Sequence, residues 1–230
     1  MKLDKILIVH PSRGRPEMAR MHSQLLMQNR TSACEFRYVF SLDQDDPSCL
    51  AYSDSLKRCE FPYEVLLAPN KGVIEAVNRA ASSIVNEDVI INMSDDIAST
   101  SGWDSRLSAF VSTINPPMYL VQPVDMDNGE SIPVVQIMSS ALHHRLGYIL
   151  PPCYDTMYAD NDLIESCRLL GAVFPCRGLG FDHRHPNYGK GQWDETYARE
   201  NRPEAYASGA AMLERRRADT YGLKNPPPLS

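Results

Sequence analysis

Short apolar runs alternate with segments of helical spacing through the first half of the chain. Runs rich in aliphatic and aromatic residues predict strands at 5–10, 34–42, 63–68, 88–93 and 118–124. Residues 16–28 and 70–85 instead place apolar side chains at helical spacing, and Pro16 favours the first turn of the first helix. Strands that alternate with helices predict an α/β fold with a mostly parallel sheet flanked by helices.

The second half of the chain is less regular. A Pro-rich loop over 151–158 precedes a predicted helix that ends at Gly171. A short strand at 172–174, a polar stretch over 180–197 and a helix over 203–219 follow. We expect a single domain over residues 1–230, which comprises a regular half (1–125), an elaborated half (126–220) and a frayed tail (221–230).

Composition excludes some classes of protein. The chain has 230 residues, 43% of them apolar, and a net charge of -6, which is unlike a protein that coats nucleic acid through clustered Lys and Arg. A local basic cleft is not excluded. The apolar stretch near the start is short, and no 18-residue apolar span occurs, so we expect a cytoplasmic protein with no membrane span.

Polar loops follow four successive predicted strands, at 11–16, 41–46, 69–72 and 94–96. In open α/β sheets the carboxyl ends of the strands form the ligand site, so these loops should converge on one edge. The candidate ligand-binding residues in the first three loops are Pro11, Ser12, Arg13, Arg15, Asp43, Asn70, Lys71 and Gly72.

Each of these loops also has an ordinary structural interpretation. Arg13 and Arg15 can meet an anion beside a helix N-terminus, but the same loop can be a solvated turn. Asp43 can accept a hydrogen bond from a nucleobase N–H or a ribose hydroxyl, or it can belong to an acidic turn before Pro47. The residues around Lys71 can be explained by the start of a helix alone, without any role in binding.

Asp95 and Asp96 end the fourth strand with no basic residue close in sequence. Helix capping does not explain them, because the next helix is expected to begin near Trp103, with Ser101 as the better placed cap. Adjacent unpaired carboxylates raise each other's pKa and destabilise the fold. A Mn²⁺ or Mg²⁺ ion, which takes oxygen ligands and retains sites for phosphates, removes that cost.

Two further clusters lie in the second half. One of Asp160 and Asp162 is expected to cap the start of the helix and interact favourably with its dipole. The other is then free to act as a general base. His183 and His185 lie two residues apart and face the same way if the chain is extended. They can complete a metal site or contact a diphosphate, although a surface role is equally compatible with the sequence.

Taken in order, these motifs resemble a known family. LIVHPSRGRPE, an Asp after the second strand, NKGVIEAVNRA and a strand that ends in SDD resemble the nucleotide-binding half of GT-A glycosyltransferases, most like family 2. ADNDL resembles the family's later acidic motif, and HRHP lies where a metal-binding His often falls. The resemblance spans roughly residues 5–190. No Q-x-x-R-W element follows, which argues against a processive membrane synthase.

The resemblance implies a GT-A fold and a metal-dependent transfer of sugar from a nucleoside-diphosphate sugar, with a UDP-sugar as the expected donor. The first half would bind this donor, through Asp43 and Asp95 among others, and the second half would bind the acceptor. The family's D-x-D reads S-D-D here, so Asp96 carries over as the metal ligand, with His183 or His185 beside it. Asp160 matches the catalytic base of an inverting displacement.

The acceptor and the reaction class have alternatives. The acceptor can be a glycan, a protein, a lipid head group, a small molecule or, as in phage-type enzymes, a 5-hydroxymethylated pyrimidine in DNA. DNA would need a basic face, which could be formed by Arg13, Arg15, His143, His144, Arg145, Lys190 and Arg215–Arg217. A nucleotidyltransferase shares the sheet, the acids and the metal. A sugar- or nucleotide-binding module would bind without turnover.

Overall fold

The computed structural model describes residues 3–125 and 135–223. Strands in these ranges are β1 (Lys5–Ser12), β2 (Glu35–Asp43), β3 (Glu64–Ala68), β4 (Val89–Asn92), β5 (Ile97–Ser99), β6 (Leu120–Asp125), β7 (Gln136–Ser139) and β8 (Val173–His183). Helices are α1 (Pro16–Gln28), α2 (Cys49–Leu56), α3 (Val73–Ala81), α4 (Trp103–Val111), α5 (Ser140–Leu146), α6 (Ala159–Leu169), α7 (Glu195–Glu200) and α8 (Pro203–Ala218). The KNPPPLS tail lies outside the described residues.

The strands form one mixed sheet in the order β3-β2-β1-β4-β7-β6-β8-β5. The first four are parallel, with Ile8 of β1 opposite Tyr38 of β2 and Ile91 of β4. The second half departs from this pattern, because β7 is antiparallel to β4 and β6, and β5 is antiparallel to β8. The α/β fold predicted from the sequence is therefore confirmed, with the parallel part concentrated in its first half.

Both faces of the sheet are covered by helices. In β1, Ile6 and Ile8 pack into one apolar cluster together with residues of α1, α2 and α4. Leu7 and Val9 point to the opposite face and pack with residues of α3, α5 and α6. A parallel strand buried on both faces needs an unbroken apolar run, which is what the sequence has at this position.

Several elements differ from the sequence prediction. The short strand expected at 172–174 continues to His183, because β8 pairs with both β6 and β5. The strand β5 and the helices α2 and α7 have no apolar period that predicts them. Ser101 is not the cap of α4, since Gly102 takes that position with a φ of 69°. Among the described helices, none combines the length and apolar character that crossing a membrane requires.

Candidate active site

A cleft of about 320 Å³ opens at the carboxyl ends of the parallel strands. From the four loops predicted to converge, its lining includes Pro11, Ser12, Arg13, Arg15, Asp43, Asn70, Gly72, Ser94 and Asp95. From the second half it includes Asp155, Thr156, Thr196, Arg199, Glu200 and Arg202. The predicted convergence is confirmed, and of the candidate nucleotide-binding residues only Lys71, which is exposed, is not part of the lining.

Asp95 is held by a buried network of hydrogen bonds. His10 Nε2 lies 2.9 Å from Asp95 Oδ1, and the Ser12 hydroxyl donates to Oδ2 at 2.9 Å. Because a carboxylate can only accept, Nε2 of His10 donates to Asp95, and Nδ1 of the same ring is hydrogen-bonded to the Tyr38 hydroxyl at 2.6 Å. Tyr52 in turn bonds Ser12 at 2.5 Å. Both oxygens of Asp95 are therefore fixed by the protein at the edge of the cleft.

Asp96 is also fully partnered. Its Oδ2 accepts from the Tyr197 hydroxyl at 2.8 Å and lies 3.3 Å from His183 Nε2, while the Ser94 hydroxyl donates to Oδ1 at 2.6 Å. Burial raises the pKa of this carboxyl, but the hydrogen bonds and the charge of His183 outweigh burial and hold the pKa well below its usual range. The expectation of two unpaired acids that raise each other's pKa is wrong for Asp96.

The pair of Asp96 and His183 fits a divalent metal. A carboxylate oxygen and an imidazole nitrogen lie side by side, 3.3 Å apart. Asp96 is next in the chain to Asp95 of the cleft lining, which includes neither Asp96 nor His183 itself. Among the described residues, no three His, Cys, Asp or Glu side chains come together as a metal cluster. Two protein ligands suit a cation that keeps the rest of its coordination sphere for water and substrate phosphates, as Mn²⁺ and Mg²⁺ do.

His185 has a different environment from His183. Its Nδ1 accepts from the backbone N–H of Asn187 at 3.1 Å, and its ring lies edge to face with Tyr197, with centroids 4.6 Å apart. These contacts fix His185 in the turn that follows β8. Of the two histidines, His183 is the one that contacts the carboxylate of Asp96.

Arg15 connects the first loop to the C-terminal segment. Its Nε and one Nη donate to both carboxylate oxygens of Asp194 at 2.6 Å, and its guanidinium lies 3.8 Å from the centre of the Tyr197 ring. Asp194 also caps α7 by accepting from the backbone N–H of Tyr197 at 2.9 Å. Arg15 thus lines the cleft, but most of its hydrogen-bonding capacity holds α7 in place.

Asp43 lines the cleft and has one carboxylate oxygen without a hydrogen bond. Its Oδ2 accepts from Arg13 at 3.1 Å, and Arg13 also binds Asp45 at 3.0 Å. The other oxygen, Oδ1, is buried and has no hydrogen-bond partner among the described residues, and the guanidinium of Arg79 lies 3.8 Å from it. An unsatisfied buried carboxylate oxygen is costly, so a ligand donor at this position would stabilise the site.

The two acids of α6 have separate environments. Asp162 is fully buried and accepts from Arg216 at 2.7 Å and from Tyr154 at 2.9 Å, so it joins α6 to α8. Asp160 is partly exposed, and its carboxylate accepts from the backbone N–H of Asn161 at 2.9 Å. Burial raises the pKa of Asp160, against the opposing effects of backbone hydrogen bonds and the charge of His183. Asp160 is the acid left for chemistry.

The loop before α6 is tightly constrained. Tyr158 caps the helix with a left-handed φ of 72°, a conformation that non-glycine residues rarely adopt. Gly209 of α8 packs directly on this loop, since a Cβ there would lie 2.5 Å from the carbonyl oxygen of Met157. The position of Asp160 therefore depends on close packing of α8 as well as on α6 itself.

The sequence did not reveal several residues of this site, of which four bear on its chemistry. His10 lies inside a strand pattern, and Tyr197 lies in an aperiodic polar stretch. Arg199 and Arg202 reach the cleft from the C-terminal segment. The Arg202 Nε donates to the carbonyl oxygen of Arg199 at 2.8 Å, and within residues 3–125 and 135–223 no acid pairs with Arg202. For Arg199 and Arg202, the only signal in the sequence is the clustering of cations near the C-terminus.

Comparison with solved structures identifies the fold. The mannosyltransferase PcManGT from Pyrobaculum calidifontis, in complex with GDP-Man and Mn²⁺, aligns with a TM-score of 0.60 and 12% identity over 93% of this chain and 75% of that one. S. aureus TarS aligns with a TM-score of 0.60 and 12% identity over 92% of this chain and 39% of its own. GalNAc-T7 with UDP, GalNAc and Mn²⁺ aligns with a TM-score of 0.57 and 11% identity over 79% of this chain and 43% of that chain.

The protein therefore has the GT-A fold, as the order of its sequence motifs indicated. It spans less than half the length of TarS and GalNAc-T7, so these likenesses concern the shared domain. No family model and no curated protein sequence matches the chain. Family 2 remains a prediction from the sequence.

Proposed function

We propose that this protein is a metal-dependent glycosyltransferase that moves a sugar from a nucleoside-diphosphate sugar to an acceptor hydroxyl with inversion. The observation that carries the proposal is the pairing of His183 with Asp96, which follows Asp95 of the cleft lining, together with Asp160, whose carboxylate is close enough to His183 to be influenced by its charge. A carboxylate–imidazole pair supplies a metal site, and a separate acid with a raised pKa supplies a base.

The donor nucleotide would occupy the cleft. Asp43 Oδ1 would accept from the base or the ribose, and Asp95, held rigidly by His10 and Ser12, would accept from the ribose. Pro11, Asn70 and Gly72 provide the walls. UDP is the nucleotide expected from the sequence, and the similar solved structures contain UDP or GDP-Man, so the base is a point for experiment.

Asp96 and His183 would hold the cation against the diphosphate. A nitrogen ligand favours Mn²⁺ over Mg²⁺, which is a harder cation that prefers oxygen. Bound there, the cation would neutralise the charge that develops on the leaving nucleoside diphosphate. Arg202 lines the cleft and would contact the same phosphates, whereas Arg15 would keep α7 closed over the site. Lys71 is exposed outside the cleft lining.

Asp160 would act as the general base. Its carboxylate would take the proton of the acceptor hydroxyl as the hydroxyl oxygen bonds to the anomeric carbon of the sugar. The bond from that carbon to the diphosphate oxygen breaks with its electron pair on the diphosphate, and the configuration at the carbon inverts. Because burial raises the pKa of Asp160, its affinity for the proton is greater than that of an ordinary aspartate.

Modified DNA is a weaker candidate acceptor. The proposed basic face is neutralised at several points, since Arg13, Arg15, Lys190, Arg216 and Arg217 form ion pairs with acids. Ser139, just before α5, lies opposite Val89 at the amino end of β4, so His143, His144 and Arg145 follow from the edge away from the cleft. A glycan or small molecule fits these charges better. A cytoplasmic location stays a prediction from the sequence.

Release of nucleoside diphosphate from a panel of UDP- and GDP-sugars tests the proposal. With Mn²⁺ present, we expect one donor to release its nucleoside diphosphate slowly by hydrolysis and faster when an acceptor is added. Release of pyrophosphate from a nucleoside triphosphate would instead indicate a nucleotidyltransferase. Binding of a nucleotide sugar without release of either product would indicate a non-catalytic module.

A further inference from the structure

Five aromatic rings form a continuous cluster beside the candidate metal ligands. His183 packs against His185, with centroids 5.3 Å apart, and His185 packs edge to face against Tyr197 at 4.6 Å and Trp193 at 5.9 Å. Tyr188 contacts both histidines, at 5.8 Å and 6.2 Å. These residues lie at the end of β8, in the turn after it, in the segment just before α7 and in α7 itself. We refer to them as the ring cluster.

The ring cluster is buried at one end and exposed at the other. Tyr197 is buried and hydrogen-bonds Asp96, whereas Trp193 leaves 57% of its surface exposed and Tyr188 leaves 37%. The other tryptophan, Trp103, is fully buried in the core. Trp193 also packs against Tyr197, with centroids 5.9 Å apart. A half-exposed tryptophan held against the residue that hydrogen-bonds Asp96 is typical of a binding surface, because a structural role alone would favour burial.

Each of three cations next to the ring cluster contacts a carboxylate, and two of them share the same one. Lys190 binds Asp182 at 2.6 Å, and Arg184 binds the same carboxylate at 3.4 Å. Arg199 binds Glu200 at 3.0 Å. A nucleic-acid strand would need cations available for successive phosphates, together with rings for its bases. Exposed rings whose neighbouring cations already contact carboxylates instead suit a neutral ligand that has a flat apolar face and a rim of hydroxyls.

We propose that the exposed end of the ring cluster is the acceptor subsite, and that the acceptor is a neutral carbohydrate whose pyranose ring packs on Trp193 and Tyr188. This inference rests on the proposed function and names its acceptor class. A pyranose ring presents C–H groups to an aromatic face and directs its hydroxyls outward, where one of them would reach Asp160. Loss of the Trp193 ring should therefore weaken acceptor binding and leave donor binding intact.

The two tryptophans allow a direct test by NMR. In a ¹⁵N-labelled sample each indole N–H gives one signal, and Trp103 Nε1 donates to the Leu26 carbonyl oxygen at 2.8 Å inside the core, which makes its signal an internal control. Methyl glycosides and disaccharides of glucose, galactose, mannose and N-acetylglucosamine would be titrated into the wild type. A separate titration would use a single-stranded oligonucleotide.

We expect at least one carbohydrate to shift the Trp193 signal in a saturable way, with the Trp103 signal unchanged. Trp193→Ala should weaken that binding by about tenfold or more, measured by calorimetry, and Trp193→Phe should weaken it by less than about threefold. Both variants should keep the thermal shift that nucleotide and Mn²⁺ produce. A carbohydrate bound with equal affinity by Trp193→Ala would overturn the subsite.

Other outcomes separate this inference from the proposed function. No Trp193 shift with any carbohydrate, in a protein that still binds nucleotide with Mn²⁺, overturns the acceptor subsite and leaves the glycosyltransferase proposal standing. A shift with the oligonucleotide alone overturns the carbohydrate assignment in favour of nucleic acid. A carbohydrate shift in a protein that binds no nucleotide supports the subsite and contradicts the transferase.

Discussion

The Tyr197 hydroxyl donates a hydrogen bond to Asp96 Oδ2 at 2.8 Å, across 101 positions of sequence. Tyr197 lies in the short helix α7, whose cap, Asp194, is held by Arg15. One ion pair and one hydrogen bond therefore connect the C-terminal segment to the loops that end β1 and β4. The surroundings of Asp96, the candidate metal ligand, are therefore complete only when α7 has packed against these loops.

Tyr197→Phe should weaken metal binding. Removal of the hydroxyl leaves the ring contacts to Arg15 and His185 in place but frees Asp96 to rotate, and loss of such an orienting hydrogen bond costs about 10- to 100-fold in metal affinity. The Mn²⁺ concentration for half-maximal activity should rise accordingly, with the nucleotide affinity at saturating Mn²⁺ unchanged. Tyr206→Phe, an exposed tyrosine of α8, is the control. Equal Mn²⁺ requirements in both variants would contradict this role.

Asp160→Asn and Asp162→Asn should have opposite effects. Asp160→Asn should reduce transfer by roughly 10²- to 10⁴-fold while the folded state and donor binding persist. Asp162→Asn removes the charge that pairs with Arg216 in the interior, which should lower the free energy of unfolding by about 3 kcal/mol. Thermal unfolding and single-turnover transfer measured on both variants check this. An active Asp160→Asn enzyme would remove the base and, with it, the argument for inversion.

The pH dependence of stability should identify Asp160 separately from activity. Burial raises the pKa of Asp160 in the folded state. At pH values above the ordinary carboxyl pKa, ionisation of Asp160 therefore lowers the free energy of unfolding. Below that pH the carboxyl is protonated in both states and this loss of stability disappears. Asp160→Asn should thus be more stable than the wild type at pH 7, and the two proteins should converge at low pH. Denaturant unfolding at pH 7 and pH 4 measures the difference. An equal stability difference at both pH values would show that the pKa is not raised.

The raised pKa of Asp160 also predicts how the rate of sugar transfer falls at acidic pH. Transfer needs the ionised carboxylate, so the rate should fall as the pH decreases through the raised pKa of Asp160, at a higher pH than for an ordinary aspartate. The rate under saturating donor, acceptor and Mn²⁺ measures this decrease. A rate that is constant down to the ordinary carboxyl range would assign the base to another group.

Asp43→Asn should reduce nucleotide affinity. If Asp43 Oδ1 accepts from the nucleotide, loss of a charge-assisted hydrogen bond costs about 10- to 100-fold in affinity. Asp45→Asn is a matched control, because Asp45 also binds Arg13 but is exposed at the rim. Calorimetric titration with UDP and GDP compares the variants. Equal losses in both variants would mean that Asp43 acts only through Arg13.

The regular half of the molecule was predictable because its signals are local. Buried parallel strands require unbroken apolar runs, and α1 begins at Pro16 and ends at Gln28, as the pattern indicates. The four polar loops lie at one edge of the sheet because the strands that precede them are parallel, so their convergence follows from strand direction alone. In contrast, β5 has only three residues and depends on antiparallel pairing with β8, which no local pattern reveals.

The site was predictable in part for the same reason. Asp43 is the last residue of β2 and Asp95 follows the end of β4 by three positions, so their place at the cleft follows from topology. The division of roles between Asp160 and Asp162 needed the position of Arg216, 54 residues further on. Likewise, Arg15 faces Asp194 only after α7 packs on the first loop. Long-range pairings such as these are set by tertiary packing and leave no spacing in the sequence.

Thermal unfolding with UDP, GDP, CDP and ADP, each with and without Mn²⁺, tests the central claim most directly. A ligand at about one hundred times its dissociation constant stabilises the folded state by about 2.7 kcal/mol, or roughly 5–10 °C for a chain of this length. We predict a shift of this size for one nucleoside diphosphate, dependent on Mn²⁺ and absent in Asp96→Ala. No shift with any nucleotide, or a shift that persists in Asp96→Ala without metal, would contradict the account.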